Sequence, residues 1–269
     1  MEVITGIHNL RVKEAAELKQ KKYREEKSLF LVEGLRSAEE ALVYGDVVSL
    51  FVISAEEGEK QKKLVRQAAE KGIALYQVDE KIMRKICDTQ TPQGVAAVVR
   101  IPGNDLRRLR FSSKKYENNV PVVILDRIQD PGNVGAIIRT ADASGALGVI
   151  LLAGCADAYS PKAVRASMGS VFHLPLVQGV EPEEALTWCM RYGYTTAAAS
   201  LTAAEELYKV DLSRKTAFIF GNEANGVSTE LQAASDKRLY IPMPGLAESM
   251  NVAMAAGVIL FESLRQRRY

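Results

Sequence analysis

This chain of 269 residues has only two histidines, three cysteines and one tryptophan, and each scarcity removes a class of function. With His8 and His173 as its only histidines, it cannot build a histidine-rich metal site. Cys87, Cys155 and Cys189 lie far apart and show no metal-type spacing. Neither a zinc site nor a disulfide framework is expected, and the thiols read as reduced. Long apolar runs are missing too. The longest, Val252 to Phe261, is about half a membrane span. The start, Met1-Glu2-Val3-Ile4-Thr5, turns charged by Arg11 without the apolar core of a signal peptide. The reading is a soluble, cytoplasmic protein with no membrane partner and no metal. Two nucleotide fingerprints are also absent. No Gly-x-Gly-x-x-Gly follows a predicted strand, and no loop ends in Gly-Lys-Ser/Thr, so dinucleotide and triphosphate loops are unsupported. The net charge of +2 does not by itself announce nucleic acid. What matters is where the charges sit.

What is present is ordinary for a globular protein: 47% hydrophobic and 25% charged residues, enough for two cores. Residues 9–28 read as one charged helix carrying Lys19, Lys21, Lys22, Arg24 and Lys27. Its basic side reads either as a solvated face or as a phosphate-contacting edge. Strands are expected at 30–33, 49–53, 73–78 and 95–100, with helices at 35–44, 59–71 and 80–87 between them. That alternation describes a small α/β domain over residues 1–104. Ile101-Pro102-Gly103-Asn104-Asp105 breaks the pattern. The stretch 105–119, with Arg107, Arg108, Arg110, Lys114 and Lys115, reads as a basic linker. A second α/β run covers 120–269. Its strands are expected at 122–125, 149–152, 195–199, 217–220 and 239–241, and its helices through 143 and at 162–168, 182–192 and 251–266.

Three segments carry chemistry, and each follows a predicted strand, where open α/β sheets bind ligands. The first runs from Asp126 through Pro131-Gly132-Asn133 to Arg139. Its turn and the cap suited to Asn133 are ordinary features when taken singly. The second is Gly221-Asn222-Glu223-Ala224-Asn225-Gly226, whose glycines let backbone approach a ligand closely. The third is Ile241-Pro242-Met243-Pro244-Gly245, leading through Ser249-Met250-Asn251 into a helix rich in small residues. Those small residues are first of all packing residues, but Ser249 and Asn251 are polar groups at a helix start and need partners.

Together the three segments, in this order and at these long spacings, resemble the signature motifs of the SpoU (TrmH) family of RNA 2′-O-ribose methyltransferases. The resemblance covers about residues 118–269. The first hundred residues, through Phe30-Leu31-Val32-Glu33-Gly34 and their element order, are similar to the family's L30e-like substrate-binding domain. The resemblance implies an α/β fold with a C-terminal trefoil-knotted, parallel-sheet methyltransferase domain and a small N-terminal L30e-like domain. It implies S-adenosylmethionine as cofactor, bound at Gly221, Asn222, Gly226, Ile241, Met243 and Met250, and a homodimer with the C-terminal helix at or near the interface. Ala224 and Met250 depart from the family's usual glycine and leucine, and at Ala224 the β-carbon would oppose a positive φ.

The implied reaction is methylation of a ribose 2′-hydroxyl in structured RNA, with 23S ribosomal RNA favoured. The resemblance implies that Arg139, the arginine of the first motif, is the residue to which the family's base role is assigned. Because a guanidinium is very hard to deprotonate, its expected task is to engage the target phosphate or the developing alkoxide. Asn133 is expected to hold Arg139 or the ribose, and Glu223, Ser249 and Asn251 to complete a polar network. Lys19, Lys21, Lys22, Arg24, Arg107 and Arg108 are the candidate RNA contacts. Three alternatives stay open: a transfer-RNA 2′-O-methyltransferase, a knotted base methyltransferase, and a non-catalytic RNA-binding or ribosome-assembly protein.

Overall fold

The computed structural model describes residues 1–53, 58–109, 119–201 and 205–268, which form two compact units. The first is Met1–Gly103 together with Tyr159–His173; the second is the remainder, Asn104–Ala158 and Leu174–Tyr269.

The first unit begins with β1 (Glu2–Ile4), α1 (Leu10–Glu17), α2 (Lys21–Lys27), β2 (Leu29–Glu33), α3 (Leu35–Tyr44) and β3 (Val47–Val52). It continues with α4 (Gly58–Glu70), β4 (Ala74–Val78), α5 (Glu80–Ile86) and β5 (Val95–Arg100). Its five-stranded mixed sheet runs β1-β4-β3-β5-β2, with β5 antiparallel to both neighbours. Val12, Ala15 and Leu18 pack with Phe51, Ile82 and Ile86 in one core.

The basic stretch 9–28 is two helices, not the single helix expected. The chain turns at Leu18–Gln20 because Leu18 is drawn fully into the core. Arg24, only 3% exposed, closes that turn: its Nη1 donates to the carbonyls of Leu18 at 2.8 Å and Lys19 at 2.9 Å. These are carbonyls that the end of α1 leaves without helical partners. A buried cation needs such acceptors.

The second unit holds β6 (Val122–Asp126), α6 (Pro131–Ala143) and β7 (Val149–Leu152). The chain then passes to α7 (Pro161–Ser167), which packs with β2 in the first unit. There Arg165 pairs with Asp88 at 2.8 Å and with Glu33 at 3.6 Å. Back in the second unit come β8 (Leu176–Val180), α8 (Pro182–Arg191), β9 (Thr195–Ala199), β10 (Glu205–Glu206) and β11 (Thr216–Gly221). The chain ends with α9 (Thr229–Ala234), β12 (Lys237–Tyr240) and α10 (Val252–Arg268).

All pairings in this second sheet are parallel, in the order β10-β12-β9-β11-β6-β7-β8. Every residue of β6, β7 and β11 is buried, which explains their uninterrupted apolar runs. From β6 the chain adds β7 and β8 on one side and later strands on the other. The boundary between β6 and β11 is therefore a topological switch point. Helix α10 lies against α6, and its Ile259 and Leu260 are buried.

Three elements here escape sequence reading, β8, β10 and α9, and β10 is only two residues long. Strand β8 contains Gly179 at φ +68°, and its pairing shifts register against β7. Helix α9 is too short for a periodic signal. The described start of the stretch read as a linker packs as part of this unit: Leu109 is fully buried in its core. Arg107 pairs with Asp105, and Arg108 donates to the carbonyl of Leu176 at 3.1 Å. Arg110, Lys114 and Lys115 lie outside the described residues.

Candidate active site

The loops after β6 and β11 leave the sheet side by side, since Asp126 and Gly221 are register partners at the ends of their strands. Gly221 has to be glycine. A β-carbon there would lie 2.0 Å from the amide nitrogen of Val227 and 2.3 Å from the carbonyl oxygen of Gly226. The loop folds back onto Gly221 through a bond from the Gly226 amide to the Asn222 carbonyl at 2.8 Å. The side chain of Asn222 stiffens it further: Oδ1 accepts from the amides of Ala224 at 3.0 Å and Asn225 at 3.2 Å. Gly226 takes the left-handed conformation at φ +69°. Ala224 does not have a positive φ, so the conflict foreseen for its β-carbon does not arise.

Three ties hold the two loops together. Asn222 Nδ2 donates to the carbonyl of Arg127 at 2.9 Å. Buried Asp126 accepts from the Ser228 amide at 2.7 Å. The carboxylate of Glu223 accepts from the amides of Gln129 and Asp130, both at 3.3 Å, and from Asn133 Nδ2 at 2.8 Å. Asn133 in turn accepts at Oδ1 from Asn251 Nδ2 at 3.0 Å. Asn251 Oδ1 then accepts from the Ala253 amide at 2.9 Å, at the start of α10.

The direction of this relay is forced. An ionised carboxylate only accepts, so Asn133 must turn its NH₂ to Glu223 and its oxygen to Asn251. Asn251 must then offer its own oxygen to the helix amides. Burial pushes the Glu223 carboxyl up, but the bonds from Asn133, its own amide, Gln129 and Asp130 outweigh it and hold the group below its ordinary value. Glu223 is therefore ionised at neutral pH.

Beyond these loops lies a cleft of about 550 Å³. Its wall includes Gly221, Asn222, Glu223 and Gly226 from the second segment, Ile241, Met243, Ser249, Met250 and Asn251 from the third, and Ser200, Gln232, Val252 and Ile259. The sequence thus identified much of one wall, while Ser200 and Gln232 were missed. Gln232 donates to the Val227 carbonyl at 2.7 Å, and Ser200 lies 3.2 Å from its side-chain oxygen. These two lie outside the three motifs and carry no local signal.

Three expectations need correction. Asp130, not Asn133, caps α6: it accepts from the Gly132 amide at 2.8 Å, while Asn133 sits one turn in. Asn133 makes no bond to Arg139 among the described residues; its amide bonds Glu223 and Asn251 instead. Arg139 lies six residues further along α6, about 240° around and about 9 Å along the axis. It is exposed, off the cleft wall, and makes no hydrogen bond or ion pair among the described residues. Ser249 lines the cleft but takes no part in the relay.

Among the basic candidates, Lys21, Lys22 and Arg107 are exposed. Lys19 is instead turned inward to the carbonyls of Lys85 at 2.7 Å and Cys87 at 3.3 Å, and Arg24 is buried in the turn it closes. Arg108 is tied to Leu176, as above.

Among the described residues, Glu223 is the only ionisable side chain on the cleft wall; no lysine, arginine, histidine or aspartate of that set lines it. Half-apolar walls, one carboxylate and no cation suit an amphipathic cationic ligand. Cys155, near the β6 loop, offers no nucleophile: burial pushes its thiol up to about 11, and Sγ lies 3.1 Å from the carbonyl of Leu125.

A parallel α/β sheet with its cleft beyond the strand ends, next to a switch point, defines a ligand-binding α/β enzyme unit. Residues 121–261 match the SpoU rRNA Methylase family, and residues 9–97 match the MRM3-like substrate binding domain. The chain belongs to the SpoU rRNA methylase family. It is 34% identical to the 23S rRNA (guanosine(2553)-2′-O)-methyltransferase RlmP of Bacillus subtilis, over 97% of this chain and 98% of that one. Its structure resembles an AdoMet-bound rRNA methyltransferase from Sinorhizobium meliloti, with a TM-score of 0.86, 32% identity and coverage of 98% and 97% of the two chains. It also resembles the SpoU methyltransferase AviRb from Streptomyces viridochromogenes in complex with AdoMet, with a TM-score of 0.85, 31% identity and coverage of 97% and 98%. Among the described residues, no helix is long and apolar enough to cross a membrane.

Proposed function

We propose that this protein is an S-adenosylmethionine-dependent methyltransferase acting on a ribose 2′-hydroxyl of 23S ribosomal RNA. The observation that carries the reading is the cleft itself, walled by the Gly221–Val227 loop and the Ile241–Asn251 segment, with Glu223 its sole charge among the described residues. A cationic sulfonium meets no like charge on that wall. S-adenosylmethionine, when bound, supplies an electrophilic methyl group. Gly221, Asn222, Gly226, Ile241, Met243 and Met250 are the residues that would hold it.

The chain's own groups supply orientation and electrostatics. The relay from Glu223 through Asn133 to Asn251 fixes one edge of the cleft before substrate arrives, and such preorganisation lowers the barrier by alignment. Arg139 has no internal partner among the described residues, so it is available to an RNA phosphate or to the developing alkoxide. Ser249, exposed on the cleft wall, is free to bond the ribose. The first unit would select the RNA by shape and phosphates, through exposed Lys21 and Lys22.

The reading includes the trefoil-knotted path, the cytoplasmic location and the homodimer that the family resemblance implies. Exposed Met254 and Phe261 stand one heptad apart on the same side of α10 and suit a helix-mediated dimer. A transfer-RNA substrate and a non-catalytic role are the weaker readings, since the match extends through a substrate-binding domain and the polar site set is intact.

The test is a map of ribose methylation in total RNA from cells with and without this gene. Loss of a 2′-O-methyl group in 23S RNA is the expected result. A loss confined to transfer RNA, or no difference at all, overturns the substrate. Calorimetric titration with S-adenosylmethionine separates an enzyme from a scaffold.

A further inference from the structure

Arg127 follows β6 directly, and three features set it apart. Its backbone is left-handed at φ +53°, a conformation shared among the described non-glycine residues only with Ser28 and Met168. A long side chain there is strained, and such strain persists only where the surroundings hold it. They do: the Arg127 carbonyl accepts from Asn222 Nδ2 at 2.9 Å and from Gln129 Nε2 at 3.1 Å.

The second feature is how its charge is aimed. Arg127 Nε lies 3.1 Å from Oδ1 of Asp126, whose side chain is only 4% exposed, while the arginine side chain is 49% exposed. The guanidinium makes no other hydrogen bond or ion pair among the described residues. Its terminal nitrogens therefore present a donor fork to solvent, anchored from behind by a buried carboxylate. The third feature is place. Arg127 is bonded to Asn222 on the cleft wall, and Gln129 and Asp130, two and three residues on, bond to Glu223.

From these we infer that Arg127 is a substrate-positioning residue that grips a backbone phosphate of the RNA strand at the mouth of the cleft. A planar guanidinium fork matches phosphate oxygens in pairs, which a lysine cannot do. Fixing one phosphate beside the cleft sets the register of the neighbouring sugar. The inference rests on the proposed RNA reading, and it concerns a group distinct from Arg139, which lies on the helix and not on this loop.

The experiment uses the full chain and 23S RNA purified from cells lacking the gene. RNA affinity is measured against salt for the wild type, Arg127→Ala and Arg127→Lys, with S-adenosylmethionine affinity and thermal midpoint read beside it. Arg127→Ala should weaken RNA binding about tenfold at low salt. It should also make the salt dependence shallower by roughly 0.7 to 0.9, one phosphate's worth. Arg127→Lys should restore the slope but not the full affinity. S-adenosylmethionine affinity should stay unchanged in both, which a collapsed loop would not allow. An unaltered salt slope and RNA affinity in both variants would overturn the inference. So would an equal loss of S-adenosylmethionine binding in both. Methylation of the same RNA by the wild type is scored separately: its absence, with the slope change present, sinks the methyltransferase reading and leaves the phosphate grip standing.

Discussion

The side-chain amide of Asn133 donates a 2.8 Å hydrogen bond to Oε1 of Glu223, joining residues 90 positions apart in the sequence. Through it the loops after β6 and β11 act as one edge of the cleft, and the ionised carboxylate sets the direction of every amide beyond it.

That relationship has a pH signature. The Glu223 carboxyl is held below its ordinary 4.5 in the folded protein. A depressed folded value adds stability above the unfolded value, and that stability is lost as the pH falls through the folded one. Glu223→Gln should therefore lower the thermal midpoint most near neutrality, with the gap to the wild type closing in the acid range below about pH 4. Thermal melts across pH check this; a gap independent of pH would assign Glu223 a purely steric role.

Gly221 and Gly226 should respond to alanine very differently. At Gly221 the new β-carbon would overlap backbone, so the loop must move; the expected cost is about 2–3 kcal/mol and loss of most S-adenosylmethionine binding. At Gly226 nothing lies within 4 Å of an added β-carbon, and only the left-handed φ resists, at roughly 1–2 kcal/mol. Calorimetric titration and chemical denaturation of the two variants provide the comparison.

Arg139→Ala should leave stability within about 0.5 kcal/mol, since the side chain is exposed and has no partner among the described residues. S-adenosylmethionine affinity should hold while methyl transfer falls by about 10² to 10³. Full activity in a methyl-transfer assay would remove Arg139 from the mechanism.

Arg24 and its neighbours Lys21 and Lys22 should separate cleanly. Arg24→Ala leaves two carbonyls without their charged donor and should cost about 2–3 kcal/mol in denaturant melts. Replacing Lys21 and Lys22 with alanine should leave the melt within about 0.5 kcal/mol. It should also make RNA binding less salt-dependent, by roughly 0.7 for each phosphate that these lysines neutralise. An unchanged slope would take α2 out of the RNA interface.

Phe261 is 48% exposed on α10, opposite the side that buries Ile259 and Leu260 against the unit. Phe261→Glu should convert the expected dimer to a monomer without unfolding it, as read by light scattering at matched concentration. A dimer that survives the charge, or a monomeric wild type, would refute the helix-mediated contact.

Much of this was legible in the sequence because it is local. Val122–Leu125 and Val149–Leu152 announced buried parallel strands by unbroken apolar character, and both are strands with every residue buried. The cleft wall at Gly221, Gly226, Ile241 and Met250 could be read from motif order. Strand β8 and helix α9 were not legible, because a glycine-broken strand and a six-residue helix carry almost no periodicity.

Basic residues show the boundary most clearly. Lys19, Lys21, Lys22 and Arg24 look alike in sequence, yet the turn at Leu18 buries Arg24, directs Lys19 to backbone carbonyls, and leaves Lys21 and Lys22 in water. Composition and spacing indicated the α/β class and the strand-end loops, and the resemblance of three motifs indicated the family. Only the tertiary structure decided that Asn133 serves Glu223 and Asn251 rather than Arg139, and that Arg127 faces outward from a strained turn. The reason is physical: strand and turn preferences act over a few neighbouring residues, whereas a hydrogen-bond partner is chosen among groups that the chain path brings together from a hundred positions away.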